Sequence, residues 1–338
     1  MRFTDGFTFP PVPSPDLSAQ AQVKEAMTLN PRAASFGRLA SIGAWMAGCQ
    51  GEAPPRPITT SRVIIFAGDH GVAERDVSAF TPEASIVQAQ EISSGAAPVN
   101  TLAQRVDASV HLVDVSLKHD AAAIRAGSGQ IDVADAMTQE EFFAASELGA
   151  TTADREIDSG VDLLVAGDLG VANTTVAAAV LGTLTFTEPV VAVGRGSGIN
   201  DEVWKVKVSA VRDAMFRARG FRNDVARVLQ AISAPDFVAL TAFIAQCAVR
   251  RTPVLIDGAY TALAAYVAER VAPGTKQWLI AGQASPEPCT TICLQALDLT
   301  PVATLNMSTG QGAGAAAVLP LIISAVELVG DEMRSQTA

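Results

Sequence analysis

A chain of 338 residues, 49% apolar and only 17% charged, has enough material to bury one large core and an appendage. A formal net charge of −11, with no stripe of lysine and arginine, excludes a general nucleic-acid binder, so any phosphate site must be local. Aromatic residues make up only 5%, and an Ala-, Val- and Gly-rich composition suits helices packed closely on a parallel sheet.

Residues 1–15 are proline-rich and read as irregular. Asp16 or Ser18 can cap a helix running to about Asn30, where Pro31 ends it. Leu39, Ile42, Trp45 and Met46 have helical spacing within a second helix, about 35–49. Both precede any strand and form a separate small layer. From Val63 short apolar runs take over: 63–67, 110–115, 162–166, 190–193, 253–256, 278–281 and 302–305. Helical stretches lie between most of them, near 82–93, 138–158, 173–183, 200–217, 235–249, 258–270, 288–297 and 313–328. This alternation predicts an α/β fold with a doubly wound, mainly parallel sheet. The uncharged run Gly312–Val326 is too short to span a bilayer, contains Pro320 and reads as a buried helix. The N-terminus has no apolar run of the signal-peptide kind. Cys49, Cys247, Cys289 and Cys293 lack nearby histidines for a zinc set and read as free thiols in a reducing cytosol.

In such folds ligands sit beyond the carboxyl ends of the strands. Five glycine-containing loops are expected there: Gly68–Gly71, Gly167–Gly170, Gly194–Gly198, Asp257–Gly258 and Gly282–Gln283. Gly194-Arg195-Gly196-Ser197-Gly198 is expected to follow a strand and open a helix. Its amides would then attract an anion, with Lys207 reaching back from two turns on. A plain tight turn fits that spacing about as well. Asn173 and Thr174 read first as ordinary helix caps. Asp69 and His70 read as hydrogen-bonding the loop backbone and lining a pocket rather than ligating a metal, and Asp257 as a helix N-cap. Glu287, between Pro286 and Pro288, is either a positioned carboxylate or an exposed charge. Ser308-Thr309-Gly310-Gln311-Gly312-Ala313-Gly314 lets the backbone approach a ligand and presents one amide side chain.

Taken in order, these loops resemble one family, the nicotinate-nucleotide–dimethylbenzimidazole phosphoribosyltransferases. The resemblance is carried by Phe66–Val72, Val77–Phe80 with Pro82-Glu83, Ser94–Asn100, Gly167–Thr175, Gly194–Gly198, Arg250–Gly258 and Ser308–Ala315. It implies a cytoplasmic homodimer with a large Rossmann-like domain, residues 59–312, and a small helical domain, residues 1–58 plus 313–338. It also implies transfer of ribose 5-phosphate from nicotinate mononucleotide to 5,6-dimethylbenzimidazole or a similar base, with small-molecule substrates and no metal; no cofactor is expected, and charge and run length give no expectation of a nucleic-acid or membrane partner. Carried over by position, Asn173, Thr174, Gly196, Gly198 and Lys207 face the phosphate and ribose. Ser78, Phe80, Gln88 and Met307 surround the aromatic base, and Asp168 stands where relatives carry an acidic residue.

The family's general-base glutamate is Gln311 here, and a neutral amide cannot take a proton. Further departures are Ser308-Thr309, Ser233-Ala234, Gln283-Ala284-Ser285, and Ala172 in place of a glycine. Two functions therefore stay open: an enzyme of this family with reduced or altered activity, and a non-catalytic homologue that binds a nucleotide or a benzimidazole.

Overall fold

The computed structural model describes residues 6–119 and 121–337. Helices α1 (Leu17–Leu29), α2 (Pro31–Ala34) and α3 (Arg38–Gln50) come first. Asp16 caps α1 by accepting from the Ser18 and Ala19 amides at 2.8 and 3.0 Å. Pro31 does end α1, and it also starts the single turn α2, capped by Asn30.

Strand and helix then alternate. The first half holds β1 (Ser61–Gly68), α4 (Ala84–Ser94), α5 (Pro98–Gln104), β2 (Ser109–Ser116), α6 (Gln139–Asp158) and β3 (Leu163–Leu169). Five helices follow: α7 (Asn173–Thr185), α8 (Pro189–Ala192), α9 (Asp201–Ala218), α10 (Val225–Ile232) and α11 (Pro235–Val249). The chain closes with β4 (Val254–Ile256), α12 (Ala259–Val271), β5 (Leu279–Ala281), α13 (Pro288–Leu297) and α14 (Ala313–Thr337). The five strands form one parallel sheet in the order β2-β1-β3-β4-β5. The alternation of side chains along a strand makes it doubly wound. Ile64 and Phe66 face one layer with Leu164, Ala166 and the helices α6, α7, α11 and α12. Val63, Ile65 and Ala67 face the other with Val165, Leu255 and α14.

Two expected strands do not join this sheet. Residues 190–193 fall largely in α8, where Pro189 at the first helical position presets the helical φ. Val190 and Val191 are exposed, unlike the side chains of a central parallel strand. In 302–305 only Ala303 pairs, through one isolated parallel bridge to Gln283. Short apolar runs do not distinguish helix from strand by periodicity.

Helix α14 joins the layers. Ala316, Leu319, Ile322 and Val326 pack on the sheet, while Val329 meets Val23, Met27, Ala44 and Ala47 from α1 and α3. Arg38 adds a tie by donating to the carbonyls of Thr300 and Pro301. Among the described residues α14 alone is long and apolar enough to cross a membrane, yet 61% of its most apolar window is buried inside the protein.

The tightest helix crossing is α6 on α11. A Cβ added at Gly149 would lie 2.7 Å from the Ala239 carbonyl carbon, and backbone cannot move aside cheaply. Gly149→Ala is therefore expected to lower stability by about 1–3 kcal/mol, measured by urea unfolding; an unchanged midpoint would contradict this packing.

Candidate active site

Two adjoining chambers open at the carboxyl edge of the sheet. The inner one is lined by Asp168, Asn173, Thr174, Gly196, Lys207 and Met307, together with Asp257, Tyr260, Gln283, Ser285 and Glu287. The outer one adds Gly198, Gln311 and Val87. Phe80, Gln88, Gly196, Ser197, Ser308 and Thr309 border both. Every substrate-site residue carried over from the family resemblance, including Ser78 in the inner chamber, therefore lines one chamber or the other, whereas Asp69 and His70, also expected to line a pocket, line neither. Four of the five glycine loops contribute. Gly68–Gly71 lines neither chamber and lies behind the Gly170 turn, where a Cβ on Gly170 would come 2.6 Å from the His70 ring.

Asp168 stands at the end of β3, buried. Its Oδ2 accepts from Asn173 Nδ2 at 2.6 Å, and its backbone carbonyl accepts from the Gln311 amide at 2.8 Å. Burial raises its pKa to about 6, with Asp236 adding to the rise and Asn173 and His70 opposing it. Asn173 is not a cap. It is the first residue of α7, and the cap position belongs to Ala172, left-handed at φ 69° and without a capping side chain. The Asn173 side chain divides: its Oδ1 accepts from the Thr174 amide at 2.7 Å, keeping part of the expected capping, while its Nδ2 goes to Asp168 and Thr174 Oγ1 accepts from Lys207.

The Gly194–Gly198 loop also differs from expectation. It follows the short helix α8 rather than a strand, and α9 begins three residues later with its own cap, Asn200 Oδ1 accepting from Val203 N at 3.0 Å. The loop is therefore not the helix N-terminus. Its cationic partner is Lys207, which does reach back along α9 as expected. Lys207 is 1% exposed and donates to Thr174 Oγ1 at 2.7 Å. Burial lowers its pKa to about 8, opposed by the charge of Glu287. Glu287, which the sequence leaves open, is buried, and its Oε1 accepts from the Gly196 amide at 2.6 Å.

On the inner chamber, Ser78 Oγ lies 3.2 Å from Ser197 Oγ, and Phe80 is exposed at the rim that both chambers share. Gln88 Oε1 accepts from Gln311 Nε2 at 3.1 Å. Gln311 is left-handed at φ 62°, buried, and its Oε1 has no partner. Met307 is held through its backbone, which exchanges two 3.1 Å hydrogen bonds with the Gln283 amide.

A protein-family comparison matches residues 11–338 to a family described as Phosphoribosyltransferase. The chain is 51% identical over 327 residues to the nicotinate-nucleotide–dimethylbenzimidazole phosphoribosyltransferase of Corynebacterium efficiens, covering 96% of this chain and 89% of that one. It is 46% identical to the namesake from Mycobacterium avium, covering 93% and 92%. The crystal structure of CobT from Thermus thermophilus superposes with a TM-score of 0.85 at 30% identity, over 92% of this chain and 96% of that chain. The chain belongs to the nicotinate-nucleotide–dimethylbenzimidazole phosphoribosyltransferase family.

Two further buried groups support the site, one in a role the sequence does not reveal and one in the expected role. Asp257 is not the cap of its own helix, whose N-cap is Gly258. Its Oδ1 accepts from Ala315 N at 2.9 Å and from Gln283 Nε2 at 3.3 Å, so it caps α14 from across the sheet. His70 is held by the Val171 carbonyl at 2.7 Å and, on its other nitrogen, by Tyr260 at 3.2 Å and Asp236 at 3.4 Å. Burial opposes its charged form, but Asp236, the Val171 carbonyl and Asp69 together leave its pKa raised. Asp69 accepts the Lys118 amide at 2.8 Å. The expected loop-bracing role of this pair holds, although neither residue lines a chamber.

Burial, reinforced by Asp168, raises the Asp257 pKa to about 7. Asp168 and Asp257 therefore keep protons in the folded state that the unfolded chain releases near the ordinary value of 3.8. From about pH 4 to pH 7 the native state binds more protons, so their contribution to stability falls as pH rises. Asp257→Asn is expected to flatten this part of the curve, read as the difference in unfolding free energy between pH 5 and 7.5 for the two proteins. An equally steep or steeper fall in the variant would refute the assignment.

Proposed function

We propose that the protein transfers ribose 5-phosphate from nicotinate mononucleotide to 5,6-dimethylbenzimidazole or a similar base, giving the α-ribotide and nicotinate. The observation that carries this reading is the pairing of the two chambers. A buried cation with a hydroxyl and a glycine amide lies on one side, and an aromatic-rimmed space with two amide side chains on the other. Such convergence of a few polar groups in a concave, partly apolar site is what a small-molecule site requires. In this reading Lys207, Thr174, Gly196 and Asn173 receive the phosphate and ribose, with Gly198 at the loop's end. Phe80 and Gln88, shared by the two chambers, and Ser78 and Met307, on the inner one, bound the acceptor base.

The bond between the ribose anomeric carbon and the pyridinium nitrogen breaks. Its electron pair neutralises the ring, and neutral-ring nicotinate leaves. The unprotonated nitrogen of the benzimidazole forms the new bond from the opposite face, and the proton on its other nitrogen must then depart. Gln311 can accept a hydrogen bond from that N–H and orient the ring, but it cannot keep the proton. Asp168, with a pKa of about 6, is mostly ionised at neutral pH and is the carboxylate we assign to receive it. Positioning supplies the remainder: holding donor and acceptor in line lowers the barrier without a strong base.

The absence of a titratable group at position 311 favours a second reading, a binding protein that holds these ligands without turnover. Phe80 and Val87, each 53% exposed at the outer rim, also suit burial by a second copy. We therefore place the chain in a cytoplasmic homodimer built from a large domain (59–312) and a small helical one (1–58 with 313–338). A dimer mass is expected in multi-angle light scattering, and a monomer at micromolar concentration would refute it.

Incubation with nicotinate mononucleotide and 5,6-dimethylbenzimidazole is expected to yield the α-ribotide and one equivalent of nicotinate by mass spectrometry. Gln311→Glu is expected to raise kcat by about a hundred- to ten-thousand-fold, the range of general-base catalysis. Substrate binding with no product from either protein would establish the second reading, and no binding by either would sink both.

A further inference from the structure

The amide most suited to a phosphate oxygen is already occupied by an anion of the protein's own. Gly196 N–H donates to Glu287 Oε1 at 2.6 Å. The same glycine lies beside the cation and hydroxyl of the inner chamber: a Cβ there would be 2.7 Å from Thr174 Oγ1 and 3.0 Å from Lys207 Nζ. Lys207 gives its hydrogen bond to Thr174 rather than to Glu287, so the carboxylate and the ammonium flank one small space without closing it. Glu287 is only 6% exposed. It is held from a stiff backbone, since it is the N-cap of α13 with Pro286 before it and Pro288 after it. Gly194 makes room for its head, as a Cβ there would meet the carboxylate carbon at 2.6 Å.

We propose that Glu287 acts as a built-in competitor for the phosphate subsite, holding the Gly196 amide until a ligand phosphate displaces it. This deepens, and rests on, the phosphoribosyltransferase reading above. The physical argument is one of exchange. Two anions cannot share one N–H donor, and a phosphate beside an unmoved carboxylate would meet like charge at short range in a buried site. Every phosphate ligand must therefore break a charge-assisted hydrogen bond before forming its own. That cost is the same for all of them, so it does not alter their ratio of affinities. It moves all affinities weaker together. Inorganic phosphate, which has only the subsite to bind, then drops out of the working range. The nucleotide donor, which also contacts the ribose and base regions, does not. The same carboxylate, returning to Gly196, helps release the phosphate of the product.

The test uses the full chain and compares it with Glu287→Gln, which keeps an acceptor for Gly196 without the charge, and Glu287→Asp, which draws the carboxylate back by one methylene. Isothermal titration is run with inorganic phosphate and, separately, with nicotinate mononucleotide. Glu287→Gln is expected to bind both about ten- to a hundredfold more tightly, the exchange value of one charge-assisted hydrogen bond, and Glu287→Asp to move in the same direction. In turnover the Gln variant should show a lower KM for the donor, stronger inhibition by the α-ribotide, and no matching gain in kcat. If both variants bind inorganic phosphate no better than the parent protein, or more weakly, Glu287 is part of the ligand's binding wall and the proposal is overturned. If all three proteins fail to bind nicotinate mononucleotide, the underlying functional reading falls as well, and the two failures are told apart by the parent protein alone.

Discussion

One buried carboxylate fixes the geometry on which the site depends. Asp257, just beyond the end of β4, accepts the Ala315 amide at 2.9 Å and so anchors the first turn of α14 to the edge of the sheet. A helix start buried without a partner for its amides is costly, and here the partner lies 58 residues away. Gly314 is what allows the approach, because a Cβ there would sit 2.6 Å from Asp257 Oδ1. With α14 fixed, the preceding residues have little freedom. Gly310, Gln311 and Gly312 are all left-handed, and this segment passes so close to Gly167 that a Cβ on that residue would lie 2.8 Å from the Gln311 carbonyl carbon. The Gln311 amide then meets the Asp168 carbonyl at 2.8 Å. Asp257, Asp168 and Gln311 thus form one connected support that joins two strands, the last helix and the wall between the chambers.

The charges of the inner chamber make sense against that support. Three carboxylates, Asp168, Asp257 and Glu287, share it with the buried ammonium of Lys207. Burial works on both signs, raising the acids Asp168 and Asp257 and lowering Lys207. Each partial neutralisation reduces the cost of having charge away from water. A bound phosphate would reverse part of this by favouring the charged form of Lys207.

The parts of this arrangement that are legible in the sequence are local ones. The strands β1, β2 and β3 follow from apolar runs such as Val63–Ala67, and the helices between them from their spacing. Lys207 is readable because its reach toward Gly196 runs along its own helix. Residues 190–193 mislead because four apolar residues carry no period, and the deciding signal, Pro189 at a helix start, is a single residue. The two most consequential contacts are not legible. Asp257 to Ala315 and Glu287 to Gly196 join residues 58 and 91 positions apart, and a lone Asp-Gly or Pro-Glu-Pro does not say which distant amide it will meet. Asn173 shows the same limit from the other side. Its type and place suit a cap, but the left-handed Ala172 shifts the helix start by one residue, and the Asn173 side chain both takes the Thr174 amide and donates to Asp168.

Gln311 brings local strain and distant contact together. A side-chain-bearing residue at φ 62° carries a steric cost of about 1–2 kcal/mol relative to an ordinary conformation. Its Oε1 is buried without a partner, which costs about 1–3 kcal/mol more. Neither penalty is needed for folding, since a glycine would relieve the first and an apolar side chain the second. Both are tolerated because Asp257 and α14 over-determine the backbone at this point. What the penalties preserve is an amide held against Gln88 at the boundary of the outer chamber, with one acceptor unspent. Position 311 thus keeps a polar side chain held against Gln88, and a neutral amide there cannot hold a proton.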